Sequence, residues 1–245
     1  MHQVDYRAQP EDARQAINKW IEQETQDKIK DLIPQGGINT LTRLVLANAI
    51  YFNGSWLFPF DEDETQKAPF FTLDGSERSV DMMKLYGERL GYNQGENFQV
   101  VDLPYFSNDF SMTIILPDQG AFKDVESKLT KEEILNIFEN FSYQRVDLEM
   151  PKFDFETMVN AKEPLAAMGM SEAFIPESAD FSGITEEEQL YITEVLHKAT
   201  ITVDETGTEA AAATAVIVGT ESMDPNQPIS LVVNRPFIYF IQHKP

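Results

Sequence analysis

Between Val203 and Ser222 the chain reads Val-Asp-Glu-Thr-Gly-Thr-Glu-Ala-Ala-Ala-Ala-Thr-Ala-Val-Ile-Val-Gly-Thr-Glu-Ser, an alternating segment that becomes a run of very small residues and then a polar tip. Alanine favours helix, so a short helix from near Thr208 and an alanine-rich linker are two readings of it. Extended backbone is a third, and its consequence is sharper. At period two Thr208, Ala210, Ala212 and Thr214 share one side, and Glu209, Ala211, Ala213 and Ala215 the other. The first set contains nothing bulky or charged, so such a segment could slide between two paired strands without a clash or an unpaired buried charge. Gly207, just ahead of it, can take backbone angles closed to other residues and suits a hinge.

Glu205-Thr-Gly-Thr-Glu-Ala-Ala-Ala-Ala-Thr resembles the reactive-loop hinge of the serpins, serine-protease inhibitors that work by loop insertion. Further segments share the resemblance in family order: Asn48-Ala-Ile-Tyr-Phe-Asn-Gly-Ser-Trp56 with Phe58 and Phe60, Leu103-Pro-Tyr, Ile114-Ile-Leu-Pro117, Met150-Pro-Lys-Phe153, Ala179-Asp-Phe-Ser-Gly-Ile-Thr185, Val195-Leu-His-Lys-Ala199 and Asn234-Arg-Pro-Phe237. The resemblance implies an α+β fold with a large mixed β-sheet, further antiparallel sheets, surrounding helices and an exposed reactive loop at about 206–228. It also implies that residues 1–245 form one partial domain, beginning after the family's N-terminal helices and stopping before its last strand. Exposed apolar surface and open sheet edges are then expected.

The pattern of residues along the chain agrees with that class. Residues 10 to 33 carry Ala13, Ile17, Trp20, Ile21, Ile29 and Leu32 at helical intervals behind Pro10, and Pro34-Gln-Gly-Gly37 ends the run. Leu41 to Phe52 is apolar on both faces and reads as a buried central strand. From Phe70 to Phe106 alternating segments are split by turns at Asp74-Gly75 and Asn93-Gln-Gly95. Phe110 to Leu116 is a strand, Phe122 to Glu139 two short helices with Thr130-Lys-Glu-Glu133 as a capping box, and Tyr143 to Glu156 an alternating segment that changes register at Pro151. A helix over Asn160 to Met170, a strand over Leu190 to Glu205, and strands over Ile229 to Val233 and Phe237 to Gln242 complete the series. Runs of strands interrupted irregularly by helices give the α+β class.

What the resemblance implies for function can be placed residue by residue. The hinge is Glu205, Gly207, Thr208, Ala210 and Ala212. Trp56, Lys152 and Glu205 fall where the loop enters the sheet, with a Lys152–Glu205 salt bridge expected. Asn48 and His197 fall in the hydrogen-bonded cluster beneath the sheet's centre that governs strand opening; their usual partners are missing from the chain. Counting from the hinge glutamate puts the reactive bond at Glu221–Ser222, with Thr220 and Met223 as alternatives. A glutamate there implies a serine protease with a basic primary pocket, such as a glutamyl-specific one. A non-inhibitory carrier on the same fold and an inactive incomplete product are the other readings.

The remaining bounds come from composition. A net charge of −22 disfavours nucleic acid, anionic membranes and a polyanionic cofactor, and no cofactor is expected. No cysteine is present, so disulfides and thiolate metal sites are excluded, and the three histidines lack metal-site spacing. Neither Gly-x-Ser-x-Gly, His-Glu-x-x-His nor a phosphate loop occurs, and no enzyme is expected. Glu186-Glu-Glu188 reads as solvated surface. The family suggests an extracellular protein that is monomeric at full length; Met1-His-Gln-Val-Asp-Tyr lacks the parts of a secretion signal.

Overall fold

The computed structural model describes residues 4–208 and 227–244. In chain order its elements are α1 (Pro10–Glu24), β1 (Leu44–Tyr51), β2 (Gly54–Ser55), β3 (Gln66–Phe71), β4 (Glu77–Gly95), β5 (Phe98–Pro104), β6 (Phe110–Pro117), α2 (Phe122–Lys128), α3 (Lys131–Glu139), β7 (Ser142–Pro151), β8 (Phe153–Asn160), α4 (Lys162–Leu165), β9 (Ile192–Val203), β10 (Gly207–Thr208), β11 (Ile229–Val232) and β12 (Ile238–His243). They fall into two compact units, Met1–Phe52 with Asp154–Ile201, and Asn53–Phe153 with Thr202–Pro245.

In the first unit β1 and β9 pair in parallel over Leu44–Tyr51, and β8 lies on the other edge of β9. Ile21 of α1 packs with Ile29, Leu32, Ile33, Ile38 and Leu196 into one buried cluster. The helix is shorter than its apolar spacing suggests. Thr25 ends it: its hydroxyl donates to the Ile21 carbonyl and accepts from the Ile29 amide, and Gln26 and Asp27 then turn left-handed. The chain beyond is held in place by Asn18, which accepts from the Ile33 amide and donates to the Ile33 carbonyl, both at 2.9 Å. Ile29, Leu32 and Ile33 are therefore buried, but from irregular backbone.

Two other expectations are corrected here. β1 is not a strand buried on both faces: its exposure alternates, Leu41 ahead of it is 69% exposed and Ile50 within it 52%. Among the described residues β1 is the end strand of its ladder, so one face and one edge lack cover. The helix expected over Asn160 to Met170 starts later, at Lys162, because β8 persists through Asn160; after the α-helical turn α4 it widens into a π-helical turn, Ala166–Met170, that Gly169 distorts at φ +108°.

The second unit is built on seven strands in the order β11-β7-β4-β5-β6-β12, with β3 also on β4. Neighbours are antiparallel except β11 and β7, which run parallel. Val100, Ile115 and Ile238 lie side by side on three successive strands, and Val125 of α2 and Ile137 of α3 close over them. The Thr130 hydroxyl caps α3 by accepting from the Glu133 amide, but Thr130's own amide goes to the Lys128 carbonyl rather than to Glu133, so the box is half formed. β4 continues through Asn93 to Gly95, and the turn expected there sits at Glu96-Asn97, with Asn97 left-handed.

Candidate functional site

The junction between β9 and β10 is a tight turn whose geometry is set by Asp204. One carboxylate oxygen accepts from the Thr206 amide at 2.9 Å, the Thr206 hydroxyl at 2.7 Å and the Gly207 amide at 3.2 Å, while the Asp204 amide donates to the Gly207 carbonyl. An aspartate that bonds forward to its own backbone is a standard way to stabilise a reversal. Thr208 thereby lands antiparallel to Val203 on one side and to Gly54 on the other.

Trp56 and Phe60 hold the turn from below. The Trp56 indole donates to the Asp204 carbonyl, the Trp56 amide to the Thr206 carbonyl and the Phe60 amide to the Glu205 carbonyl, at 2.9–3.0 Å. Three successive carbonyls of the turn are thus satisfied by an aromatic pair that is itself buried; Trp56 is 3% exposed and stacks on Tyr105 with ring centres 4.6 Å apart. Tyr105 reaches past it, its hydroxyl 2.7 Å from that of Thr208, which is wholly buried. Burial pushes the Tyr105 phenol well above its ordinary pKa, so it stays neutral.

Glu205 is the charged member. Its side chain is only 6% exposed; one oxygen accepts from Lys152 Nζ at 2.6 Å and the other from the Thr65 hydroxyl at 2.7 Å. Glu62, Asp81 and Asp204 line the mouth around this pair. In the first unit, Asn48 and His197 sit opposite each other on β1 and β9, with imidazole Nδ1 2.8 Å from the Asn48 amide oxygen. That oxygen can only accept, so Nδ1 carries the proton.

The family described as "Serpin (serine protease inhibitor)" matches residues 1–245. The chain belongs to the serpin family. An uncharacterised serpin-like protein of Methanosarcina acetivorans is 39% identical over 242 residues, which is 98% of this chain and 56% of that protein. Human antithrombin-III is 37% identical over 245 residues, 99% of this chain and 53% of the relative. The crystal structure of Serpin48 from the insect Tenebrio molitor superposes with a TM-score of 0.86 at 35% identity, covering 98% of this chain and 64% of the other. The chain thus spans little more than half the length of these curated relatives.

Of the serpin positions expected from the sequence, Trp56, Lys152 and Glu205 come together at the turn, with Gly207 and Thr208 directly after it. Asn48 and His197 meet as a pair, and Asn48 is exposed, so the face they share is uncovered there among the described residues. Ala210, Ala212, Glu221 and Ser222 lie outside the described residues, as does most of the 206–228 loop. Glu188, expected to be solvated, is bonded to both Arg7 and Arg43. Among the described residues no cluster of three metal-ligating side chains occurs. The sequence reading gave no site role to Thr65, Tyr105 or Asp204, although Tyr105 stood in the Leu103-Pro-Tyr segment of the resemblance and Asp204 carried a signal of its own, an aspartate two residues ahead of a Thr-Gly pair.

The charged pair gives this region a pH dependence. Burial pushes the Glu205 carboxyl up, but the bonds from Lys152 and Thr65 outweigh it and hold the group below the ordinary glutamate range. The bond to Glu205 raises Lys152. A carboxyl lowered in the fold stabilises above its unfolded pKa and loses that contribution as pH falls through the folded value; a raised lysine loses its contribution as pH rises through its own. Stability from the pair is therefore present across neutral pH and fades at both extremes. Lys152 is over a third exposed, so screening limits the pair to about 1 kcal/mol. In Glu205→Gln the melting temperature should fall less steeply than in the parent between about pH 5 and pH 3, which thermal unfolding followed by circular dichroism would read.

Proposed function

We propose that this serpin sequence belongs to an inhibitor that traps a serine protease by inserting its cleaved loop as a new β-strand. The observation that carries the reading is Thr208, which is already a buried rung antiparallel to Val203 while β1 and β9 still pair directly with each other. The protease serine would attack the Glu221 carbonyl carbon; the bond to Ser222 breaks, Ser222 leaves as a free amine, and Glu221 stays esterified to the enzyme. The freed strand then continues the ladder begun at Thr208. Continued residue by residue, the register brings Ala210 opposite Ile201, Ala212 opposite Ala199 and Thr214 opposite His197, so the Asn48–His197 bond must open for the strand to pass. About a dozen new backbone bonds at ~1 kcal/mol net supply on the order of 10 kcal/mol to deform the bound enzyme.

The test uses the full-length protein with a glutamyl-specific serine protease. A complex that survives denaturing electrophoresis, together with a large rise in melting temperature after loop cleavage, is the expected result. Clean cleavage with neither change would favour a non-inhibitory role. The 245-residue chain alone should inhibit weakly or not at all, because among the described residues β1 is the end strand of its ladder.

A further inference from the structure

Away from the hinge, three distant stretches of the second unit meet around a cleft of about 370 Å³: the turn after β3, the turn joining β6 to α2, and the segment ahead of β12. Its walls are apolar, formed mainly by Phe71, Leu73, Pro117, Phe122 and Pro236. Backbone bonds fix their positions: the Phe71 amide donates to the Asn234 carbonyl at 2.8 Å, and the Ala121 amide to the Asp118 carbonyl at 2.9 Å.

Two cations open into this apolar cleft in a chain of net charge −22. Arg235 spends Nε on the Pro117 carbonyl at 2.7 Å and one terminal nitrogen on the Asn234 side chain at 3.4 Å. Its other terminal nitrogen has no hydrogen-bond partner among the described residues. Lys123 lines the rim, and Asp118 lines the same cleft without closing an ion pair on either cation. Burial lowers the Arg235 pKa, and the attraction of the Asp118 carboxylate in the same cleft offsets this only in part. Leaving planar donors unused beside an apolar surface is costly unless an anion completes them.

We propose that this cleft is a binding site for a small amphipathic carboxylate, with the aryl or alkyl body against Leu73 and Phe122 and the carboxylate on Arg235 and Lys123. The volume suits a small ligand, and a mainly apolar pocket with few polar groups is the usual form of such sites. The site is independent of the loop mechanism, and its failure would leave that mechanism untouched.

Calorimetric titration with 1-naphthaleneacetate, and with 1-naphthaleneacetamide as its uncharged twin, tests it. The acid should bind about tenfold more tightly than the amide, the difference one charge-assisted bond supplies. Arg235→Met should erase that difference. Because Arg235 also ties down Pro117, a second variant guards against misfolding: Leu73 is 62% exposed on a turn, and Leu73→Trp should fill the cleft and weaken both compounds while leaving the melting temperature unchanged. Equal affinities, no saturable binding below about 1 mM, or an acid affinity unmoved by both variants would overturn the assignment.

Discussion

Alanine at position 207 should drive the hinge out of the slot it occupies and lower the melting temperature by roughly 10 °C. Gly207 sits at φ +156°, and a Cβ added there would lie 2.2 Å from the Gly54 carbonyl oxygen and 2.7 Å from the Ser55 Cα. Both obstacles are backbone, so no side chain can swing aside. Forcing the residue to stay would cost about 1–3 kcal/mol in strain alone. Moving it away breaks the Thr208–Tyr105 bond and the rungs to Gly54 and Val203, each worth ~1 kcal/mol, and either route costs about 3 kcal/mol. The sign is diagnostic. Where glycine holds an ordinary conformation, alanine stabilises by ~0.4–1 kcal/mol through the unfolded chain, so an unchanged or raised melting temperature would show that the slot is not tight. Hydrogen exchange at the Thr208 amide gives a second readout, with protection expected in the parent and lost in the variant.

Strand positions in the second unit were largely legible from the sequence: β7 alternates buried with half-buried residues and β3 half-buried with exposed ones, while β5 and β6 are buried at nearly every position. The entry turn was legible in part. Trp56, Lys152 and Glu205 could be matched to a family pattern, whereas Thr65 and Tyr105 contribute single hydroxyls to Glu205 and Thr208, and one hydroxyl leaves no trace in periodicity. The errors have a common origin in what lies beside a segment rather than within it. Leu41 to Phe52 is apolar on both sides, but burial requires neighbours, and β1 has one strand and one covered face. Residues 25 to 33 keep helical spacing because Ile29, Leu32 and Ile33 fill the same core as α1, yet Thr25 and Asn18 supply bonds that make a bend as well satisfied as a helix.

On the insertion mechanism proposed above, arginine in place of Thr208 should convert the full-length protein from a trap into a plain substrate. Thr208 has no exposed surface, and its hydroxyl meets Tyr105 beneath the Trp56 ring. A guanidinium cannot stay there: both carboxylates of the turn are engaged, Asp204 by the Thr206 and Gly207 amides and Glu205 by Lys152 and Thr65, and an unpaired buried charge costs several kcal/mol. Insertion has to begin with this residue, so the cost enters the insertion barrier directly, and ~3 kcal/mol slows the step more than about a hundredfold. Deacylation by the protease is unchanged, and the acyl-enzyme should hydrolyse before the strand enters. Thr208→Val separates this from loss of the hydroxyl. It keeps the branched shape but removes the hydroxyl that bonds to Tyr105, a deficit of about 1 kcal/mol that should lower stability while preserving most of the trapped complex. Gel-stable complex counted against cleaved product distinguishes the outcomes. If the arginine variant traps as well as the parent, the strand does not begin at Thr208, and the register that brings Thr214 to His197 falls with it.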